Sequence, residues 1–112
     1  MRWPWQRKPK PKPTIPDGAI RRRLLYTGRV QAVGFRFTVE GCAREAGVTG
    51  WVRNMEDGSV LVEVQGVSEQ VRAFRRLVQD QMDNPRTFIE GRLASEEAVE
   101  PKPEDRFSIH NI

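Results

Sequence analysis

Arg36 is the residue of this 112-residue chain whose type and setting most suggest chemistry. It closes the stretch Gly28-Arg29-Val30-Gln31-Ala32-Val33-Gly34-Phe35-Arg36, where two Gly bracket a short-chained centre and the Arg stands at an expected helix start. A loop entering a helix leaves the first helical N–H groups without internal partners, and the helix dipole adds partial positive charge at the same end. Successive loop N–H groups can curl around phosphate oxygens, and an Arg guanidinium adds a planar, permanently charged fork of donors. That layout is an anion cradle. Spacing alone leaves a plainer reading open, because Gly is common in strand-loop-helix turns and an Arg at a helix start is often only solvated.

The elements that would position the cradle follow from hydrophobic periodicity. Arg23 to Arg29 reads as a strand through Leu24, Leu25 and Tyr26, and Phe37 to Ala46 as a helix with Val39, Cys42, Ala43 and Ala46 on one face and Gly47 as its stop. Val48 to Arg53 and Ser59 to Gln65 form a hairpin around Asn54-Met55-Glu56-Asp57-Gly58, the second strand alternating Val60, Val62 and Val64 with Leu61, Glu63 and Gln65. Ser68 is the expected N-cap of a second helix that buries Val71, Phe74, Leu77 and Val78 and ends at Asp83-Asn84-Pro85. Thr87 to Leu93 suggests a fourth strand, 94–105 is acidic and Pro-interrupted, and Phe107 to His110 reads as a short closing strand. The order predicts an α+β, ferredoxin-like split β-α-β sandwich (βαββαβ): an antiparallel sheet with two helices on one face. In that topology the cradle and the end of the second strand share one end of the sheet, so Arg36 and Asn54 can meet.

Charge and composition restrict the function classes. The formal net charge is +4, and residues 1–19 hold Arg2, Arg7, Lys8, Lys10 and Lys12 against Asp17, so the remainder is neutral. Residues 1–19 read as a basic, Pro-rich flexible leader, with Lys8-Pro9-Lys10-Pro11-Lys12-Pro13 favouring an extended chain and Trp3 and Trp5 as its odd feature; 20–112 reads as the folded domain. A neutral body has no overall bias toward a polyanion, and the Ser59–Gln65 strand lacks the stacking aromatics of RNA-recognition modules, so nucleic acid is not the expected partner. One Cys excludes a disulfide framework within the chain and fits a reducing, cytoplasmic setting; no apolar run approaches a membrane span. The sole His, His110, rules out a His-based zinc site or a Ser–His relay within one chain, Cys42 sits in a helix and not in a phosphate loop, and no nucleotide P-loop motif occurs.

Residues 24–36, Leu-Leu-Tyr-Thr-Gly-Arg-Val-Gln-Ala-Val-Gly-Phe-Arg, closely resemble the first signature of the acylphosphatases, Gly-x-Val-Gln-Gly-Val-x-Phe-Arg. Residues 50–66 resemble the second, with Gly50, Asn54, Gly58, Val60 and Gly66 in register. The resemblance implies a small ferredoxin-like enzyme that hydrolyses the carboxyl–phosphate anhydride of acyl phosphates without metal or cofactor. It implies Arg36 and Asn54 as the catalytic pair, and the main chain of Gln31, Ala32, Val33, Gly34, Phe35 and Arg36 as the phosphate-binding loop. The expected partner is a small-molecule acyl phosphate, and the expected state a monomer. The family usually has Gly where this chain has Ala32, which leaves a second reading: a catalytically weakened anion-binding or regulatory module on the same fold.

Overall fold

The structure is a computed structural model that describes Trp3, Trp5 and residues 11–111. Its elements run β1 (Ile20–Arg29), α1 (Phe35–Ala46), β2 (Thr49–Asn54), β3 (Val60–Gly66), α2 (Ser68–Asp83), β4 (Glu90–Val99) and β5 (Phe107–His110), with one 3₁₀ turn at Pro85–Thr87 before β4. They build one five-stranded sheet in the order β4-β1-β3-β2-β5. The fold is ferredoxin-like as expected. Much of the proposed leader lies outside the described residues; Trp3 and Trp5 stack with ring centroids 5.1 Å apart, and 11–18 is exposed without helix or strand.

One face of the sheet carries the core. Leu24 and Tyr26 of β1, Val52 of β2 and Val60, Val62 and Val64 of β3 point to it at the two-residue repeat of a strand, and all are buried. Phe35, Val39, Cys42 and Ala43 of α1 and Val71, Phe74, Val78 and Met82 of α2 meet them at helical spacing. The helix α1 covers β2 and β5, and α2 covers β3 and β4. Burial pushes the Cys42 thiol up to about 11, so it stays protonated and serves as a small apolar side chain.

The sheet is mixed and not purely antiparallel. The pairs β1/β3, β1/β4 and β2/β3 are antiparallel, whereas β5 joins β2 in parallel, Gly50 opposite Phe107 and Arg53 opposite His110. Strand direction explains this. β4 runs back along β1 and ends with Val99 opposite Arg21, at the sheet end remote from the cradle; a chain that restarts there on the far edge must climb alongside β2. The connection 100–106 crosses under the sheet as a strap. Gln65 pins it, accepting from the Lys102 N–H at 2.9 Å and donating to the Lys102 carbonyl at 2.7 Å.

Other boundaries also shift. α1 begins at Phe35 and not Phe37, since Gly34 takes the cap position; Val67 and not Ser68 is the N-cap of α2, its N–H donating to the Gln70 side chain at 3.0 Å. β4 runs through Val99, so part of the acidic 94–105 segment is strand. It escaped the periodicity because it is an edge strand exposed along most of its length.

The strap end of the sheet holds a buried charge network. Arg21 is 1 % exposed and Glu63 4 %; Arg21 Nε donates to Glu63 Oε1 at 2.7 Å, its Nη1 and Nη2 reach Glu104, and Arg23 donates to Glu63 Oε2. Burial alone would raise the Glu63 carboxyl, but the hydrogen bonds and charges of Arg21 and Arg23 outweigh it and hold the group below its ordinary value of 4.5. A carboxyl lowered in the native state contributes stability above its unfolded value and loses it as pH falls through the native one. Unfolding midpoints in urea should therefore fall as pH drops below 4.5, and Glu63→Gln should flatten that slope. At pH 7 the same variant should cost about 3 kcal/mol, the low end for a broken buried pair because Glu104 and Gln65 still engage Arg21. An unchanged acid slope in Glu63→Gln would show that other carboxyls govern acid unfolding.

Candidate active site

At the sheet end opposite the strap, β1, β2 and β5 finish and α1 begins. Gly28 is required on the way in: its φ is +112°, and a Cβ there would stand 2.3 Å from the Glu90 carbonyl oxygen of β4. The loop then places Ala32 at φ +61° and Gly34 at φ +77°, both left-handed, with Val33 between them at a φ that is not positive. Alternating left- and right-handed residues turns successive N–H groups to one side, the geometry of an anion nest. Ala32 carries a Cβ in a conformation that costs a non-Gly residue about 1–2 kcal/mol.

The helix supplies further donors. Its first internal bond runs from the Thr38 N–H to the Gly34 carbonyl at 3.1 Å, so the N–H groups of Phe35, Arg36 and Phe37 precede the ladder. No side chain caps the N-terminus and the first turn has no acidic residue, so nothing in α1 itself neutralises that positive end.

Arg36 and Asn54 line the same pocket, about 210 Å³ in volume, with Ala32, Gly34 and Phe35 beside them. Arg36 Nη1 donates to the His110 carbonyl and to Asn111 Oδ1, both at 3.0 Å. The other N–H groups of its fork have no acceptor among the described residues. Asn54 ends β2, and its Oδ1 is buried without a hydrogen-bond partner. A buried acceptor left empty is uncommon, and a small donor such as water in the pocket would satisfy it.

Gln31 and Val33 do not line the pocket. The Gln31 amide instead donates to the carbonyls of Met55 at 2.7 Å and Ser59 at 2.9 Å, bracing the loop against the hairpin turn that follows Asn54. Asp57 caps that turn by accepting from the Ser59 N–H at 3.0 Å and from its hydroxyl; those bonds hold the Asp57 carboxyl below its ordinary range. His110 is an exposed strand-end residue, its ring stacked on Trp51 at 5.3 Å, and its main-chain carbonyl anchors Arg36. That contact had no sequence signal, because any residue offers a carbonyl. Among the described residues no group of three or more His, Cys, Asp or Glu side chains is placed to hold a metal ion, and no helix is long and apolar enough to cross a membrane.

Comparison with known proteins gives a consistent picture. The acylphosphatase family model matches residues 22–109. A curated acylphosphatase of Lactiplantibacillus plantarum is 39 % identical over 88 residues, 79 % of this chain and 94 % of that protein. One of Bifidobacterium longum is 51 % identical over 55 residues, 49 % of this chain and 57 % of that protein, so the chain spans little more than half the length of that relative. The crystal structure of acylphosphatase from Bacillus subtilis superposes with a TM-score of 0.66 at 27 % identity, covering 82 % of this chain and 99 % of that one.

Proposed function

The chain belongs to the acylphosphatase family, and we propose that it hydrolyses the carboxyl–phosphate anhydride of small acyl phosphates, with residues 20–112 as a monomeric working unit that needs no metal. The observation that carries the reading is one pocket lined by Arg36, by Asn54 with its empty buried acceptor, and by a left-handed loop opening onto an uncapped helix.

The chemistry needs little more. The loop N–H groups and the free edge of the Arg36 guanidinium bind the phosphoryl oxygens, where charge spreads as the bond to the leaving group loosens. Asn54 Oδ1 accepts one hydrogen of a water and holds its oxygen in line with phosphorus. A P–O bond forms to water, the P–O bond to the acyl oxygen breaks, and its electron pair leaves on the carboxylate. The water proton goes to a phosphoryl oxygen. Products are a carboxylate and dihydrogen phosphate, so charge balances. A carboxylate leaves readily, which is why no general acid is required.

Benzoyl phosphate hydrolysis by the purified protein in EDTA is the test. Turnover above the spontaneous rate supports the reading, and a folded protein giving none rejects it.

Ala32 favours the second reading, a weakened site. A loop that must hold a non-Gly residue at φ +61° occupies its binding geometry for a smaller fraction of time, and apparent affinity falls by that fraction. Ala32→Gly should tighten inorganic phosphate, measured as a competitive inhibitor, by about fivefold, the lower end of that conformational cost converted to affinity. Unchanged inhibition would mean that the Cβ costs the site nothing. If Ala32→Gly creates turnover where the parent has none, the weakened module is the correct reading.

A further inference from the structure

Phe37 has no role in the fold and stands beside the site. In α1 the residues facing the core are Phe35, Val39, Cys42 and Ala43; two positions on from Phe35, at about 100° per residue, Phe37 points the other way. It is 71 % exposed, where a polar side chain is the ordinary choice. Yet it lines the pocket with Arg36 and Asn54. A residue that lines a pocket while its side chain is exposed to water stands at the pocket's rim.

The rest of the lining separates into two kinds. Arg36, Asn54 and the loop main chain are engaged with the phosphoryl group and the water under the function proposed above. Of the remaining lining residues, Val30 and Phe35 are each 1 % exposed and belong to the core, so Phe37 presents the accessible side chain, and no carboxylate and no second cation lines the pocket. An acyl group leaving the cradle therefore meets the exposed ring of Phe37, and a charged acyl group finds no ionic partner there.

We propose that Phe37 is the specificity residue of this site, a platform for the acyl half of the substrate, and that the preferred substrates are acyl phosphates with an uncharged aromatic or bulky apolar acyl group. The assignment rests on the acylphosphatase reading for the chemistry, but ligand binding tests it separately.

Two measurements make the test. In kinetics, Phe37→Ala should raise KM for benzoyl phosphate by about three- to tenfold, the worth of an aromatic contact, and change kcat/KM for acetyl phosphate less than about twofold. Phe37→Tyr should retain the parent preference. Because Phe37 is largely exposed and Ala favours helix, Phe37→Ala should keep the parent melting temperature. In calorimetric titration, the parent should bind phenacylphosphonate, the non-hydrolysable methylene analogue of benzoyl phosphate, more tightly than acetonylphosphonate, and Phe37→Ala should lose that difference.

If benzoyl phosphate is hydrolysed but both substrates respond alike to Phe37→Ala, the platform is overturned and the hydrolytic reading stands. If no substrate turns over while the preference for phenacylphosphonate depends on Phe37, the hydrolytic reading fails and the platform stands. Equal binding of the two phosphonates by the parent, or binding of neither, overturns the platform.

Discussion

Arg36→Ala should lower kcat/KM for benzoyl phosphate by about a thousandfold or more, within the range found when an Arg is removed from a phosphoryl-transfer site. Two losses combine. The ground state loses a bidentate partner for a dianion, so KM rises; the transition state loses a fixed positive charge where negative charge spreads, so kcat falls. Arg36→Lys should recover little, because an ammonium on a flexible stem cannot keep one edge on His110 and Asn111 while offering a second edge to phosphate. The bonds lost within the protein are exposed, so the fold should survive, and a melting temperature close to that of the parent would establish that the defect is chemical. A variant retaining a tenth of parental kcat/KM would remove Arg36 from the mechanism.

Asn54→Ala should divide the effects differently. Asn54 faces the water and not the phosphoryl oxygens in the proposed reaction, so kcat should drop by about a hundredfold or more while KM stays within about twofold. Stability should not drop with it. The Asn54 Oδ1 atom is buried and unsatisfied, so the truncation removes an acceptor that already lacked a partner. An active-site group carried at a cost to the fold has this signature: activity falls while the melting temperature holds or rises. If KM rises in proportion to the loss of kcat/KM and kcat is unchanged, Asn54 binds substrate and does not orient water.

Local pattern made much of this legible in the sequence. The Val60, Val62 and Val64 alternation marked β3, the stripe from Val39 to Ala43 marked α1, and Gly34-Phe35-Arg36 marked the entry to a helix. Topology then brought Arg36 and Asn54 to one end of the sheet, and both line one pocket. What stayed hidden has physical causes. Arg21 lies in a run of three Arg with nothing local to mark it as buried, and its partners Glu63, Gln65 and Glu104 are all more than 40 residues away in sequence. β4 carries Glu96 and Glu97 along an exposed edge, without the alternation that reveals a half-buried strand. The parallel sense of β5 depends on where β4 ends, which no window of sequence contains. Phe37 stands first in the expected helix and off its core face, and only the structure shows it lining one pocket with Arg36 and Asn54.

The His110 carbonyl that holds Arg36 lies at the tip of β5, paired only with β2 at the sheet's edge and reached from the rest of the chain by the strap. A short edge strand, paired on one side only, is among the first parts of a native domain to open. A molecule whose β5 has peeled away keeps most of its core, since the buried residues of β1, β2, β3 and both helices lie elsewhere. It would look native to most probes of secondary structure, yet its Arg36 would swing free. Under the proposed function, activity would require β5 in place as well as a folded core, and a hydrolysis assay would report on the docking of that edge strand where probes of secondary structure do not.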